Sequence, residues 1–180
     1  MRTFALLVAA LCSLTVAKGA GAPREYPCHR MVAAAVLDGK LGDPAWQLLP
    51  EAAGFHLLGS DAFAVERQTW FRAGWTEDSL YLAIRCEEPE PKAMKALAKD
   101  GGALWSDDSV ELFLAAEDPA RYAQLIVNSE GARWNGIKGD EEHKLWDWQA
   151  AVQVGTNGWS IEARIPFAVL RKTPAANDTW

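Results

Sequence analysis

TWFRAGWTEDSLYLAIRC, residues 69–86, is the stretch that decides the fold. Thr69, Phe71, Ala73 and Trp75 alternate with Trp70, Arg72 and Gly74. After Thr76, Glu77 and Asp78 the alternation resumes, with Leu80, Leu82, Ile84 and Cys86 against Tyr81, Ala83 and Arg85. Side chains on a pleated strand repeat every two residues, so the stretch predicts two strands joined by a turn, a β-hairpin. The same pattern returns at 108–114 (DSVELFL), 121–128 (RYAQLIVN), 132–138 (ARWNGIK), 146–154 (WDWQAAVQV) and 158–167 (GWSIEARIPF), separated by Gly, Asn, Asp and Ser turns. Upstream, MVAAAVL (31–37) reads as a first strand closed by Asp38 and Gly39, and Asp43-Pro44 as the start of a short helical turn through Leu49. KAMKALAK (92–99) reads as a short helix or an ordered loop. Many short strands with little helix predict an all-β fold, an antiparallel β-sandwich of immunoglobulin-like or jelly-roll-like two-sheet architecture. Trp180 follows a proline turn where another strand would begin, so the expectation is a sandwich lacking its last strands.

The 180 residues are 49% hydrophobic and 23% charged, the balance of one globular domain. A net charge of -6 without a basic stripe argues against a nucleic-acid partner, because phosphate neutralisation needs clustered Lys and Arg. Residues 1–22 read as a signal peptide: Arg2, an apolar run from Phe4 to Val16, then small residues with cleavage after Ala17 or Ala22. A membrane anchor is the alternative, but the run is shorter than the ~20 residues a spanning helix needs. Lipidation at Cys12 is another, with Leu11 a poor residue before it. Residues 23–180 are then one domain of a secreted, periplasmic or extracellular protein with no membrane span in the mature chain. Its two cysteines, Cys28 and Cys86, are disulfide candidates in an oxidising compartment, or Cys86 is simply a buried thiol.

Nine tryptophans exceed what one sandwich core can use. Trp75 and Trp159 alternate in phase with apolar neighbours and read as core, whereas Trp105, Trp134, Trp146 and Trp148 lie beside polar or loop residues. An exposed Trp stacks on the C–H face of a pyranose while Glu, Asn or Gln bond the hydroxyls, although for any single loop Trp packing is the commoner role. Val110, Leu112 and Leu114 share one face of their strand, which puts Glu111 on the face away from the core, at the mouth marked by Trp105. Asp108 and Glu111 fall on opposite faces, so they do not make the facing carboxylate pair of a glycosidase. No nucleophile-elbow or zinc-protease motif is present, and His29, His56 and His143 match no metal spacing. The acids at 107–108 and 140–142 offer oxygen ligands for a structural calcium, yet the spacing fits no EF-hand and a solvated loop explains them equally.

In order and spacing, VLDGKLGDPAW, WFRAGWTEDSLYLAIRCEEP, LWSDDSVELFL, RYAQLIVNSEG and GWSIEARIPF together resemble carbohydrate-binding module family 9 and its family 9-like relatives, from about Val32 to the end. The resemblance implies a β-sandwich that binds oligo- or polysaccharide without catalysis, often attached to glycan-degrading enzymes. By similarity Trp105 is a stacking ring and Glu111 a hydroxyl ligand. The family's sugar-contacting arginine falls at Ile126, and its second ring lies in a C-terminal region this sequence does not reach. Trp146 or Trp148 is the candidate replacement. Two other readings stay open: a related sandwich holding haem through Met94 or His143, and a structural or surface-interaction domain.

Overall fold

A computed structural model of the chain describes residues 24–57, 67–116, 118–140, 146–175 and 178–180. The leader expected at 1–22 lies outside the described residues. Eight strands, β1 (His29–Arg30), β2 (Thr69–Trp75), β3 (Ser79–Glu87), β4 (Ser109–Leu114), β5 (Ala123–Asn128), β6 (Arg133–Ile137), β7 (Gln149–Val154) and β8 (Gly158–Pro166), form two sheets. The larger runs β1-β2-β3-β8-β7 and the smaller β4-β5-β6; every pairing is antiparallel except β1 with β2. Two four-residue helices, α1 (Pro44–Gln47) and α2 (Phe167–Leu170), and two 3-10 turns, Pro91–Ala93 and Leu104–Ser106, complete the elements among the described residues. This is an all-β sandwich, and among the described residues no helix is long and apolar enough to cross a membrane.

The hairpin forms as its alternation requires. Thr76 N–H bonds Ser79 O at 2.9 Å, Thr76 Oγ1 donates to Asp78 at 2.8 Å, and Arg164 on the adjoining β8 pairs with Asp78 at 2.9 Å. Phe71, Ala73, Leu82, Ile84, Ile161 and Ile165 line the inner face of the large sheet and meet Val110, Leu112, Leu125 and Val127 of the small one, the main core.

A second, smaller core lies on the outer face of the large sheet, where residues 31–49 cover Tyr81 and Ala83 with Met31, Ala35, Trp46 and Leu49. The strand expected at 31–37 is therefore absent. His29 and Arg30 pair with β2 and Met31 N–H still bonds Trp75 O at 2.7 Å, but the following apolar run drapes over the sheet with Val32 and Val36 exposed. Asp43 caps α1 as its sequence predicts, accepting Ala45 N–H at 2.8 Å. The helix delivers Trp46, 1% exposed, into a clamp: Glu162, fully buried on β8, accepts Trp46 Nε1–H at 2.8 Å, and Arg72 on β2 donates to Trp46 O at 2.8 Å. The Glu162 carboxylate also accepts the N–H groups of Asp38 and Gly39, each at 2.7 Å, and of Leu41 at 3.2 Å.

Two further expectations change, and one of two open alternatives is decided. Trp75 is half-buried at the sheet edge beneath Arg30 rather than in the core. Residues 94–99 are loop, after a single 3-10 turn at Pro91–Ala93. Residues 178–180 begin no strand, and Trp180 packs on Phe167.

Cys28 and Cys86 are both free, the first exposed and the second buried. Cys28 precedes His29, which faces Gly74, whereas Cys86 faces Thr69 at the far end of β2 and one strand across. At ~3.3 Å per residue that exceeds the ~7 Å Cα limit of a disulfide. Of the two alternatives the buried thiol is the one found, and burial pushes the Cys86 thiol up to about 12.

Two predictions follow from this packing. Glu162→Ala strands four donors, two of them in fully buried bonds, and should lower unfolding free energy by about 3 kcal/mol in urea titration; a loss below about 1 kcal/mol would show the clamp is dispensable. In native protein a thiol reagent should label Cys28 before Cys86, with Cys86 reached only on unfolding; a Cys28–Cys86 cross-linked peptide in mass spectrometry would contradict this arrangement.

Candidate functional site

The outer face of the small sheet carries the candidate site. Glu111, Ile126 and Trp134 lie in register across its strands, and Phe113, Gln124 and Gly136 form the next row. The single 3-10 turn Leu104–Ser106 sets Trp105 beside them. At about three residues per turn successive side chains diverge widely, so Leu104 is fully buried while Trp105 is 49% exposed. The Trp105 ring meets Trp134 edge-on, with centroids 6.1 Å apart and planes at 89°. Trp134 lies down along β6, since a Cβ on Gly136 would stand 2.7 Å from its Cη2; the strand glycine is what admits the ring.

Glu111 is only 8% exposed, and its Oε2 accepts Gln124 Nε2–H at 2.6 Å, a diagonal cross-strand bond. Its other oxygen has no donor among the described residues and remains free to accept one. Ile126, between Glu111 and Trp134, is fully buried and makes the floor apolar where the resemblance implies an arginine. Phe113 and Tyr122, edge-on at 5.2 Å, continue the aromatic surface past Gln124.

The two aspartates before β4 serve the loop instead of a ligand. Asp108 accepts Lys95 N–H at 2.6 Å and Asp107 accepts Ala98 N–H at 2.9 Å. Asn128, fully buried, donates to Asp107 at 3.0 Å and to Ala98 O at 3.2 Å, while its own Oδ1 accepts Glu130 and Ala132 N–H groups. Residues 95–98 are thereby fixed alongside the turn that carries Trp105. Burial works against the charged form of Asp107, but the Asn128 amide and the Leu97 and Ala98 N–H groups outweigh it and hold its pKa below the ordinary carboxylate value. Asp140 pairs with Arg171 at 3.5 Å.

Of the residues singled out from sequence, Trp105 and Glu111 come together, whereas Trp146 and Trp148 do not join them. Trp148 is 2% exposed in the main core, its Nε1 donating to Asn135 at 3.1 Å and its ring beneath Arg133, which also donates to Trp148 O. Trp146 packs against the same core and donates its N–H to Asn135. Asn135 is on the inward face of β6, opposite in phase to Trp134, so these rings belong to the interior. The second aromatic wall is Trp134 and the second polar group Gln124. Alternation within RYAQLIVN and the Trp134-x-Gly136 spacing held the signal for both. Met94, one haem-ligand candidate, is partly buried against the core, and His143, with Glu141 and Glu142, lies outside the described residues.

With this geometry, the class is a two-sheet sandwich whose small sheet carries a half-exposed Trp105 beside a buried carboxylate, Glu111. The family described as "Carbohydrate family 9 binding domain-like" matches residues 37–180, and the chain belongs to it. Among solved structures, the fold is similar to a family 9 carbohydrate-binding module of Caldicellulosiruptor kristjanssonii in complex with cellotriose (18% identity, TM-score 0.59, covering 82% of this chain and 69% of that one). The same module in complex with glucose gives 18% identity and a TM-score of 0.59, over 82% of this chain and 70% of that one. A putative carbohydrate-binding protein of Bacteroides uniformis gives 16% identity and a TM-score of 0.60, over 84% and 76%. No curated protein matches the sequence.

A carboxylate whose folded pKa lies below its unfolded value of about 3.9 stabilises at all higher pH and loses that contribution as pH falls through the folded value. Amide exchange at Ala98, corrected for its intrinsic pH dependence, should therefore stay slow through neutral and mildly acid pH and quicken only below about pH 4. Asp107→Ala should make it fast at every pH; unchanged protection in that variant would mean that the loop does not depend on Asp107.

Proposed function

We propose that this chain is a non-catalytic carbohydrate-binding domain whose ligand lies on the outer face of the small sheet. Trp105 stacks on a pyranose ring, Trp134 closes the corner at right angles to it, and Glu111, oriented by Gln124, accepts hydroxyl hydrogen bonds. The observation that carries the reading is the meeting of a half-exposed Trp105 with Glu111 on one face, in a family named for carbohydrate binding. Relatives of the same fold were solved with cellotriose and glucose, which makes neutral glucose-based sugars the first ligands to try.

Binding rather than hydrolysis fits the carboxylates: Asp107 and Asp108 hold loop N–H groups, and no acid opposes Glu111 among the described residues. We place the domain outside the cytoplasm, in polysaccharide recognition or catabolism, on the strength of the leader read at residues 1–22. N-terminal sequencing of exported protein should then begin at residue 18 or 23.

Tryptophan fluorescence titrated with cellotriose and glucose should show a saturable change. Trp105→Ala should weaken binding about tenfold or more, and Glu111→Gln about tenfold, with circular dichroism unchanged. A folded protein with a flat response to both sugars, or a Trp105→Ala variant that binds as well as the parent, would remove this reading.

A further inference from the structure

The opposite side of the sandwich holds a second groove that the first reading does not use. Residues 38–51 cover only half of the outer face of the large sheet. Beyond them one row runs in register over four strands: Trp70 on β2, Arg85 on β3, Ser160 on β8 and Gln153 on β7. Lys40 and Gln47 wall this row, and together they bound an open groove of about 590 Å³. That volume is in the range of small-ligand sites.

The cations on this floor differ in their partners. Lys40 is paired with Asp38 at 3.0 Å and Arg72 with Glu51 at 3.3 Å, while Glu87, whose carboxylate also lines the groove, accepts the neutral Gln68 N–H at 3.1 Å. Arg85 has no hydrogen-bond or ion-pair partner among the described residues. Its guanidinium lies 4.0 Å from the centroid of the Trp70 ring, directly opposite it in register. Stacking on the indole limits the freedom of a long side chain and leaves the planar N–H edges available, the arrangement that takes a carboxylate through two parallel hydrogen bonds. On a protein of net charge -6 only such a local, unpaired cation can retain an anion.

We infer that this groove is a second glycan site, which takes a carboxylated sugar, a uronic acid unit, with its carboxylate on Arg85 and its hydroxyls toward the amides of Gln47 and Gln153. The domain then reads two kinds of sugar on two sheets: neutral rings at Trp105 and acidic ones at Arg85.

The test is calorimetric titration of the whole protein with tri-galacturonic acid and with its fully methyl-esterified form, which keeps the rings and loses the charge. The acid should bind and the ester at least about tenfold more weakly. Arg85→Gln should weaken the acid by a similar factor, Arg85→Lys should recover part of it, and Trp105→Ala should leave it within about twofold. Absence of saturable binding by the acid, equal binding of acid and ester, indifference to Arg85→Gln, or loss in Trp105→Ala would each overturn the inference. Cellotriose titrated into Arg85→Gln reports on the other sheet alone, so failure of one site is read apart from failure of the other.

Discussion

The cover on the outer face of the large sheet hangs on one buried carboxylate. Glu162 sits in the middle of the large sheet with no exposure, and four donors from residues 38–46 converge on it. An isolated carboxylate there would be strongly unfavourable, so the segment that satisfies it is obliged to stay. Arg72, in the same cross-strand row, holds the backbone of the residue whose indole Glu162 holds, and the small Ala83 between them leaves room for the Trp46 ring. The result is a polar clasp inside an apolar patch, which fixes both a strap with only two residues of strand in it and the wall of the groove beside it.

The sandwich divides its labour by layer. Between the sheets, aliphatic side chains and Trp148 fill the interior, and the polar groups of β6 that point inward are bonded to the 146–148 turn. Outside the small sheet, short-range bonds from Asp107, Asp108 and Asn128 build a firm rim for one exposed indole. Outside the large sheet the strap leaves half the surface open. The two outward faces share no side chain, which is why their chemistries can differ.

How much of this was legible depended on whether alternation had a single meaning. The hairpin at 69–86 could be read because one of its two phases is nearly all apolar, and Glu111 because Val110, Leu112 and Leu114 fix the opposite phase. The run at 31–37 misled because Val and Ala are as suited to draping over a sheet as to pairing within it, and only Glu162, far along the sequence, decides which. Trp146 and Trp148 flank Asp147 and look exposed; the amide of Asn135, which draws them inward, belongs to a strand whose phase is set by its partner and not by its own five residues. Trp134 sits on that same short strand, so it was grouped with the polar-flanked rings but not assigned to the site. For Cys28 and Cys86, sequence separation is uninformative about spatial separation, and strand register supplied the answer.

The order of strands in the large sheet has a consequence for how the protein is made. β3 lies between β2, its hairpin partner, and β8, whose residues run opposite it from Gly158 to Pro166. While a ribosome is still adding the chain between them, on the order of several seconds of synthesis, the hairpin exists with one backbone edge unpaired and Leu82 and Ile84 without their cover. The last strand in chain order among the described residues is thus a central one. Removing β8 would not trim the periphery; it would split the larger sheet between β3 and β7 and leave a hairpin open to pairing with its neighbours.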